Sequence, residues 1–286
     1  MTSTISTPST PHPPSRAPRK TRLAPTKVAS ETFLIHDHQG EGTAPVSVPL
    51  NALVIRGAEP TVVDTGAPEH RAQFLDDVCS IVDPQDIRWI FITHDDVDHH
   101  GNLSAVMELA PRATVVVNWF LAQRMGASLG VSPLRQRWVS DGERIDVGDR
   151  SLLAVRPPVY DSPVTRGLFD PTTGVYWSSD AFATPMATPV RDVAAMDPVF
   201  WDEGMVMFNR YLSPWLDLVD DARFQREVDR VRALGASCIV GAHTPMIGRS
   251  HIDQAISATR RSTTADVPPQ PDQAVLSQIQ QVLGAA

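Results

Sequence analysis

The chain has 286 residues, enough to bury one large core, with 42% hydrophobic residues and 33 acidic against 25 basic side chains, a net charge of −8. That acidic balance disfavours nucleic acid as a partner, and no apolar run approaches the ~20 residues needed to span a bilayer, so no membrane partner is expected. The N-terminus lacks the apolar core of a signal peptide and the two cysteines, Cys79 and Cys238, are too few for a disulfide framework; the expectation is a cytoplasmic protein with two buried thiols.

Residues 1–27 carry Arg16, Arg19, Lys20, Arg22 and Lys27, no acid, and six prolines up to Pro25. Such a segment buries too little apolar surface to fold and reads as a disordered basic tail rich in Pro, Ser and Thr. Subtracting its five charges from the net −8 leaves −13 on the remainder. A folded body is expected over 28–260. Its first signal is a hairpin, Val48 to Ile55 and Thr61 to Val63, separated by Arg56-Gly57-Ala58-Glu59-Pro60 and running into Asp64-Thr65-Gly66. Residues 69–82 place Ala72, Leu75, Val78, Cys79 and Val82 at helical spacing. A strand over 88–93, a polar loop, a helix from Leu103 to Leu109 stopped by Pro111, a strand from Thr114 to Val117 and a helix from Trp119 to Met125 follow. Alternation of strand and helix favours an α/β layer architecture.

The second half opens on a hairpin, Arg144 to Val147 and Ser151 to Val155 around Gly148-Asp149. A third hairpin, 165–169 and 175–178, empties into Ser178-Ser179-Asp180. Helical patterns cover 198–218 and 221–234, then Cys238-Ile239-Val240 leads to Gly241-Ala242-His243, and a helix near 252–260 closes the body. Residues 261–286 read as a linker with a short C-terminal helix over 273–286.

Residues 93–101, Thr-His-Asp-Asp-Val-Asp-His-His-Gly, are the most informative stretch. They follow the apolar run Trp89-Ile90-Phe91-Ile92, so His94, Asp96, Asp98 and His99 sit where a strand ends and alternate side chains can converge. Carboxylates and imidazoles packed this closely repel or desolvate one another unless a cation sits among them. Two imidazoles plus two carboxylates are metal-ligand chemistry. Further polar strand ends, Asp64, Asp161, Asp180 and His243, would share a cleft with this loop at one sheet edge.

The order and spacing of these residues, from about Val46 to Ile256, resemble the metallo-β-lactamase superfamily, whose signature is His-x-(His or acid)-x-Asp-His followed by a later His, Asp and His. The resemblance implies a metallo-β-lactamase-like αββα sandwich. Within the superfamily the chain is most similar to flavodiiron proteins and oxygen-binding diiron proteins. Asp96 is acidic where hydrolases mostly use histidine and the diiron proteins use glutamate. Leu103 to Val117 and Leu168 to Phe182 look like the corresponding diiron segments. By motif position, the resemblance implies His94 and Asp96 on one metal, Asp98, His99 and His243 on a second, and Asp180 bridging them. The remaining ligand of the first metal is a histidine in a His-Ser-Pro context in the family; here the context reads Asp161-Ser162-Pro163, so Asp161 either supplies an oxygen ligand or caps a turn. Asp64 is expected to brace the ligand loop, and His100 to stand behind it or line the pocket. His36, His38, His70 and His251 lack a partner pattern and are expected at the surface or hydrogen-bonded. Trp201, Tyr211 and Trp215 lie in a helical region where packing competes with a place in the pocket.

Three functions fit these residues. The first is a stand-alone diiron protein reacting with O₂, NO or a related small oxidant, without the flavodoxin domain of its relatives and with an external electron donor. The second is a metallo-hydrolase using a bridging hydroxide on a small-molecule substrate. The third is a non-catalytic diiron oxygen sensor. Imidazole-rich sites suit zinc and carboxylate-rich ones harder iron or manganese; carboxylates at positions 96 and 161 move the balance toward iron for the two divalent ions, with zinc or manganese as alternatives. Family analogy suggests a homodimer.

Overall fold

In a computed structural model of the chain, residues 21–42, 44–267 and 269–284 are described. Two sheets stack face to face. The first holds, in spatial order, Thr26–Ala29, Thr32–Ile35, Ala52–Ile55, Thr61–Val63, Trp89–Phe91, Thr114–Val117 and Gln136–Trp138. The second holds Arg144–Asp146, Ser151–Val155, Gly167–Asp170, Val175–Trp177, Cys238–Gly241 and Thr244–Gly248. The register explains the layers. Val62, Ile90 and Val115 are cross-strand neighbours, and so are Val63, Phe91 and Val116. Successive strand residues point to opposite faces. The first trio therefore packs outward with Phe74, Val78, Leu103, Val106 and Leu121, and the second packs inward against Ile145, Leu152, Leu168, Trp177 and Val240. Each such side chain stabilises the fold by about 1.5–3 kcal/mol on burial. Runs buried on both faces are what parallel central strands require.

Helices close both outer faces, giving the expected αββα sandwich. Arg71–Ile81, Leu103–Leu109 and Trp119–Met125 cover the first sheet. Pro198–Leu212, Asp221–Arg232 and Ile252–Arg261 cover the second through Trp201, Met205, Phe224, Val228, Ala255 and Ile256. Several helix starts are set by residues that satisfy orphan backbone donors. Asp197 accepts from Val199 and Phe200 N–H ahead of Pro198, Asp220 accepts from Arg223 N–H, and Asn118 accepts from Phe120 N–H. Separately, Gln273–Gly284 is a helix in which Asp272 caps Ala274 and Val275.

Some expectations change. The boundary at 27/28 falls inside the edge strand Thr26–Ala29, where Thr26 and Lys27 pair with Leu34 and Phe33. Arg22 also forms an ion pair with buried Asp77. Residues 1–20 of the expected tail lie outside the described residues. The apolar stretch Val48 to Ile55 splits into Val48–Pro49, paired with His38–Gln39, and Ala52–Ile55 in the main sheet. Between them the Asn51 amide donates to the Gly241 and Thr244 carbonyls, tying this segment to the second sheet. Cys238 is buried, but Cys79 is exposed. Phe74, Val78 and Ile81 make the inward face of its helix, and Cys79 stands about 140° around from Phe74 at 100° per residue.

Candidate metal centre

The seven candidate ligands come from loops at one edge of the sandwich. Trp89–Phe91 ends at Thr93-His94, and Asp96 precedes a one-turn helix, Val97–His100, that carries Asp98 and His99. Val175–Trp177 ends at Asp180 and Cys238–Gly241 ends at His243, while Asp161 lies between strands Ser151–Val155 and Gly167–Asp170. Gly241 lets the last two strand ends meet: a Cβ there would lie 2.6 Å from Ser178 Oγ and 2.7 Å from the Ser179 carbonyl oxygen.

These loops bring all seven residues together, in three groups whose ligand atoms lie within 4.8 Å of one another: His94, Asp96 and Asp161; Asp98, His99 and His243; and His94, His99 and Asp180. Asp180 is central. Its Oδ2 lies 3.2 Å from His94 Nε2, while its Oδ1 lies 3.0 Å from His99 Nε2 and 3.5 Å from His243 Nε2. Asp98 Oδ2 is 3.7 Å from His99 Nε2 and 3.4 Å from His243 Nε2; Asp96 and Asp161 each reach within 3.8 Å of His94 Nε2. The side chains of His94, His99 and Asp180 are fully buried, whereas those of Asp96 and Asp161 are 52% and 26% exposed. The cluster therefore has a closed floor and one side open to solvent.

The far side of each imidazole is held by the chain, which leaves its Nε2 toward the cluster. His99 Nδ1–H donates to Asp64 Oδ2 at 2.9 Å, and His243 Nδ1–H donates to the Pro49 carbonyl at 2.8 Å. His94 Nδ1 lies 3.1 Å from Thr93 Oγ1 and 3.3 Å from Ser179 Oγ. Outer partners of this kind fix ring tautomer and orientation in metal sites. Asp64, in the left-handed region at φ 57°, also accepts from Thr93 N–H and hydroxyl and from Trp177 Nε1–H. These contacts tie Asp64 to the first residue of the ligand loop and to the second sheet. His100 stands half-buried at the next helical position, outside the three groups.

Sequence reasoning missed Thr93, which touches its neighbour His94, and Trp177, Ser179 and Pro49, which meet partners distant in the chain. It also missed Asp95, whose Oδ1 accepts from Ser162 Oγ at 3.0 Å and whose Oδ2 pairs with Arg124 Nε at 2.7 Å, joining the Asp161 loop to the ligand loop. The Ser162 beside Asp161 was the available signal. Of the aromatic candidates, Trp201 is buried against the second sheet and Tyr211 is half-buried on its helix. Trp215 Nε1–H donates to the Tyr160 carbonyl, one residue before Asp161. His36 and His38 are buried and hydrogen-bonded to Thr26 and Glu41, His70 pairs with Asp37, and half-buried His251 contacts Ser250.

Electrostatics agree with a cation-binding role. Burial opposes the charged form of His94, but Asp180 beside it outweighs this and raises the ring to about 10; His99 is raised for the same reasons, with Asp64 adding to Asp180. Burial would raise Asp180, yet the two imidazoles hold it well below the usual carboxylate range. Burial, then the Asp180 charge, pushes Asp161 up to about 6. So the buried carboxylate needs positive charge next to it. His94 Nε2, His99 Nε2 and Asp180 Oδ1 are nonetheless buried without a hydrogen-bond partner. Their close approaches are not aligned as hydrogen bonds; once both rings release their Nε2 protons, a metal ion would take over the positive charge at these three inward-facing atoms.

The chain resembles known proteins. A putative diflavin flavoprotein A 2 from Nostoc sp. is 33% identical over 133 residues, which is 46% of this chain and 23% of that protein. A nitric oxide reductase from Moorella thermoacetica is 25% identical over 170 residues, 59% of this chain and 43% of that protein. The chain thus spans less than half the length of these relatives. Among solved structures, rubredoxin oxygen:oxidoreductase from Desulfovibrio gigas superposes with a TM-score of 0.72 at 17% identity, covering 84% of this chain and 61% of that one. A 1–254 fragment of a putative diflavin flavoprotein A 5 from Nostoc sp. gives 0.68 at 16% identity, covering 84% of this chain and 96% of the fragment. The fold is that of flavodiiron cores. The model of the ODP family beta lactamase matches residues 49–243, an interval that contains all seven candidate ligands, and the chain belongs to that family.

Proposed function

We propose that the protein is a diiron oxidoreductase-type protein that reacts with O₂, NO or a related small molecule, taking electrons from an external donor and assembling as a homodimer. The observation that carries this reading is the buried Asp180 carboxylate, one oxygen turned to His94 and the other to His99 and His243. One metal would be held by His94, Asp96 and Asp161, the other by Asp98, His99 and His243, with Asp180 between them. Four carboxylates and three imidazoles form a harder donor set than a histidine-rich zinc site, which favours iron. A bound iron pair would supply the redox chemistry. The chain's own part is positional: Asp64, Pro49, Thr93 and Ser179 fix the rings, and the buried floor keeps water from the Asp180 side. The side at Asp96 and Asp161, whose side chains are 52% and 26% exposed, faces solvent and would be the route by which a small ligand reaches the metals.

Metal analysis of protein purified without added metal tests the reading. Iron at two per chain, lost together in Asp180→Ala, is expected. Two zinc ions per chain with ester or phosphate hydrolysis, and no oxidant consumption by the iron-loaded form, would make the protein a hydrolase instead. Iron binding without turnover of O₂ or NO would leave it a sensor.

A further inference from the structure

A cleft of about 960 Å³ in the Arg22–Pro268 unit does not contain the metal ligands. It lies between the Arg156–Tyr160 loop, the turn Pro214–Leu218 and helix Asp221–Arg232. Its volume is in the range of small-molecule sites. Four arginines line it, and the acids among them are already engaged. Asp141 accepts from Arg156 N–H and pairs with Arg230, Glu227 pairs with Arg230, and Asp220 caps its helix. Arg156, Arg223 and Arg226 have no ion pair among the described residues, and Arg156 Nε is buried with no hydrogen-bond partner. Close by, Arg166 is 5% exposed with an unpartnered Nε; burial, then the Arg156 charge, lowers its pKa. The buried Nε atoms of Arg156 and Arg166 lack an acceptor, and an anion in this cleft would bring one.

The rest of the lining is partly aromatic and apolar. Tyr160 and Trp215 rings pack with centroids 4.7 Å apart at 33°, and Leu218 beside them is 87% exposed. The Tyr160 backbone is pinned by Ser213, which both accepts from its N–H and donates to its carbonyl, and by Trp215. The wall is therefore a fixed surface. We propose that this cleft binds an oxyanion carried on a flat ring, a phosphate-type or carboxylate group held by Arg156, Arg223 and Arg226 with its ring against Tyr160 and Trp215. Guanidinium forks match both oxyanions, and an aromatic wall adds a face for the ring.

Calorimetric titration of the metal-loaded full chain with phenylphosphonate, benzoate, benzyl alcohol and inorganic phosphate tests this. One saturable site is expected for at least one of the two ring anions. Benzyl alcohol and inorganic phosphate should bind at least about ten-fold more weakly, the loss of one charge-assisted contact or of one ring contact. Tighter phenylphosphonate assigns the phosphate class; tighter benzoate assigns the carboxylate class. The exposed pair Arg223→Gln/Arg226→Gln should weaken binding about ten-fold or more with metal content unchanged, and lysines at both positions should restore part of it. Equal binding of benzyl alcohol or inorganic phosphate, or no effect of the double substitution, would overturn the proposal. Loss of metal together with loss of binding would place the anion at the metal centre and also overturn it.

Discussion

Asp64→Asn is a one-atom change with a calculable outcome. Asp64 Oδ1 accepts from Thr93 N–H at 2.9 Å; Oδ2 accepts from Trp177 Nε1–H at 3.2 Å and from His99 Nδ1–H at 2.9 Å. Thr93 N–H and Trp177 Nε1–H can only donate. An amide has one oxygen, so either orientation aims its NH₂ at an obligate donor in a fully buried place. Turned one way, the NH₂ also meets His99 and drives the imidazole proton to Nε2, the nitrogen facing the cluster. Losing one charged acceptor and leaving a buried donor unpaired costs about 2–4 kcal/mol. Asparagine still tolerates φ 57°, so the fold should persist. Chelator competition should show metal affinity at the His99 group reduced by about 10–100-fold, as for outer-partner changes in metal sites. Affinity at the His94 group should fall less, because its Nδ1 faces Thr93 and Ser179. Thermal unfolding of the metal-free form should show the structural part of the cost. Wild-type metal affinity and wild-type melting in Asp64→Asn would refute the bracing argument.

Asp161→His, which removes one negative charge from the open side, should raise the reduction potential of the iron-loaded protein in a redox titration; an unchanged potential with unchanged metal content would make Asp161 a turn cap. Burial, with Arg191 adding to it, depresses His36 to about 4 against an ordinary value of 6.5. The unfolded chain therefore takes up this proton first as pH falls, so about 3 kcal/mol present above pH 6.5 should be lost between 6.5 and 4. Denaturant titrations of His36→Gln should show a flatter acid limb over that window, and an identical slope would exclude His36 as its source. A chain beginning at Val28 should be less stable than one beginning at Arg22 by about 2–4 kcal/mol, because it loses the Thr26 and Lys27 pairing and leaves buried Asp77 without Arg22; coincident melts would contradict this. Asp95→Ala should release the Ser162 and Arg124 contacts and weaken binding of one metal per chain more than the other, read as two unequal steps in metal titration.

Much of this molecule was written locally in the sequence. Strand and helix periods over Leu103–Leu109, Thr114–Val117, Ser151–Val155 and Trp119–Met125 were legible because each element carries its own apolar pattern, with Pro111 ending the first of them and Gly148-Asp149 turning the chain into Ser151–Val155. The contiguous His94, Asp96, Asp98 and His99 motif was legible for the same reason, while Asp161, Asp180 and His243 were assigned through family spacing. Strands Thr26–Ala29, Gln136–Trp138 and Thr244–Gly248 were not, since short edge segments gain their partners only from the assembled sheet. Tertiary structure alone decided how the cluster is held. Trp177 meets Asp64 across 113 positions and His243 meets Pro49 across 194, contacts with no local sequence signature. The arginine cleft likewise exists only where one loop, one turn and one helix close on each other. Periodicity records which face of an element is buried; which polar atoms then meet depends on how the faces are stacked.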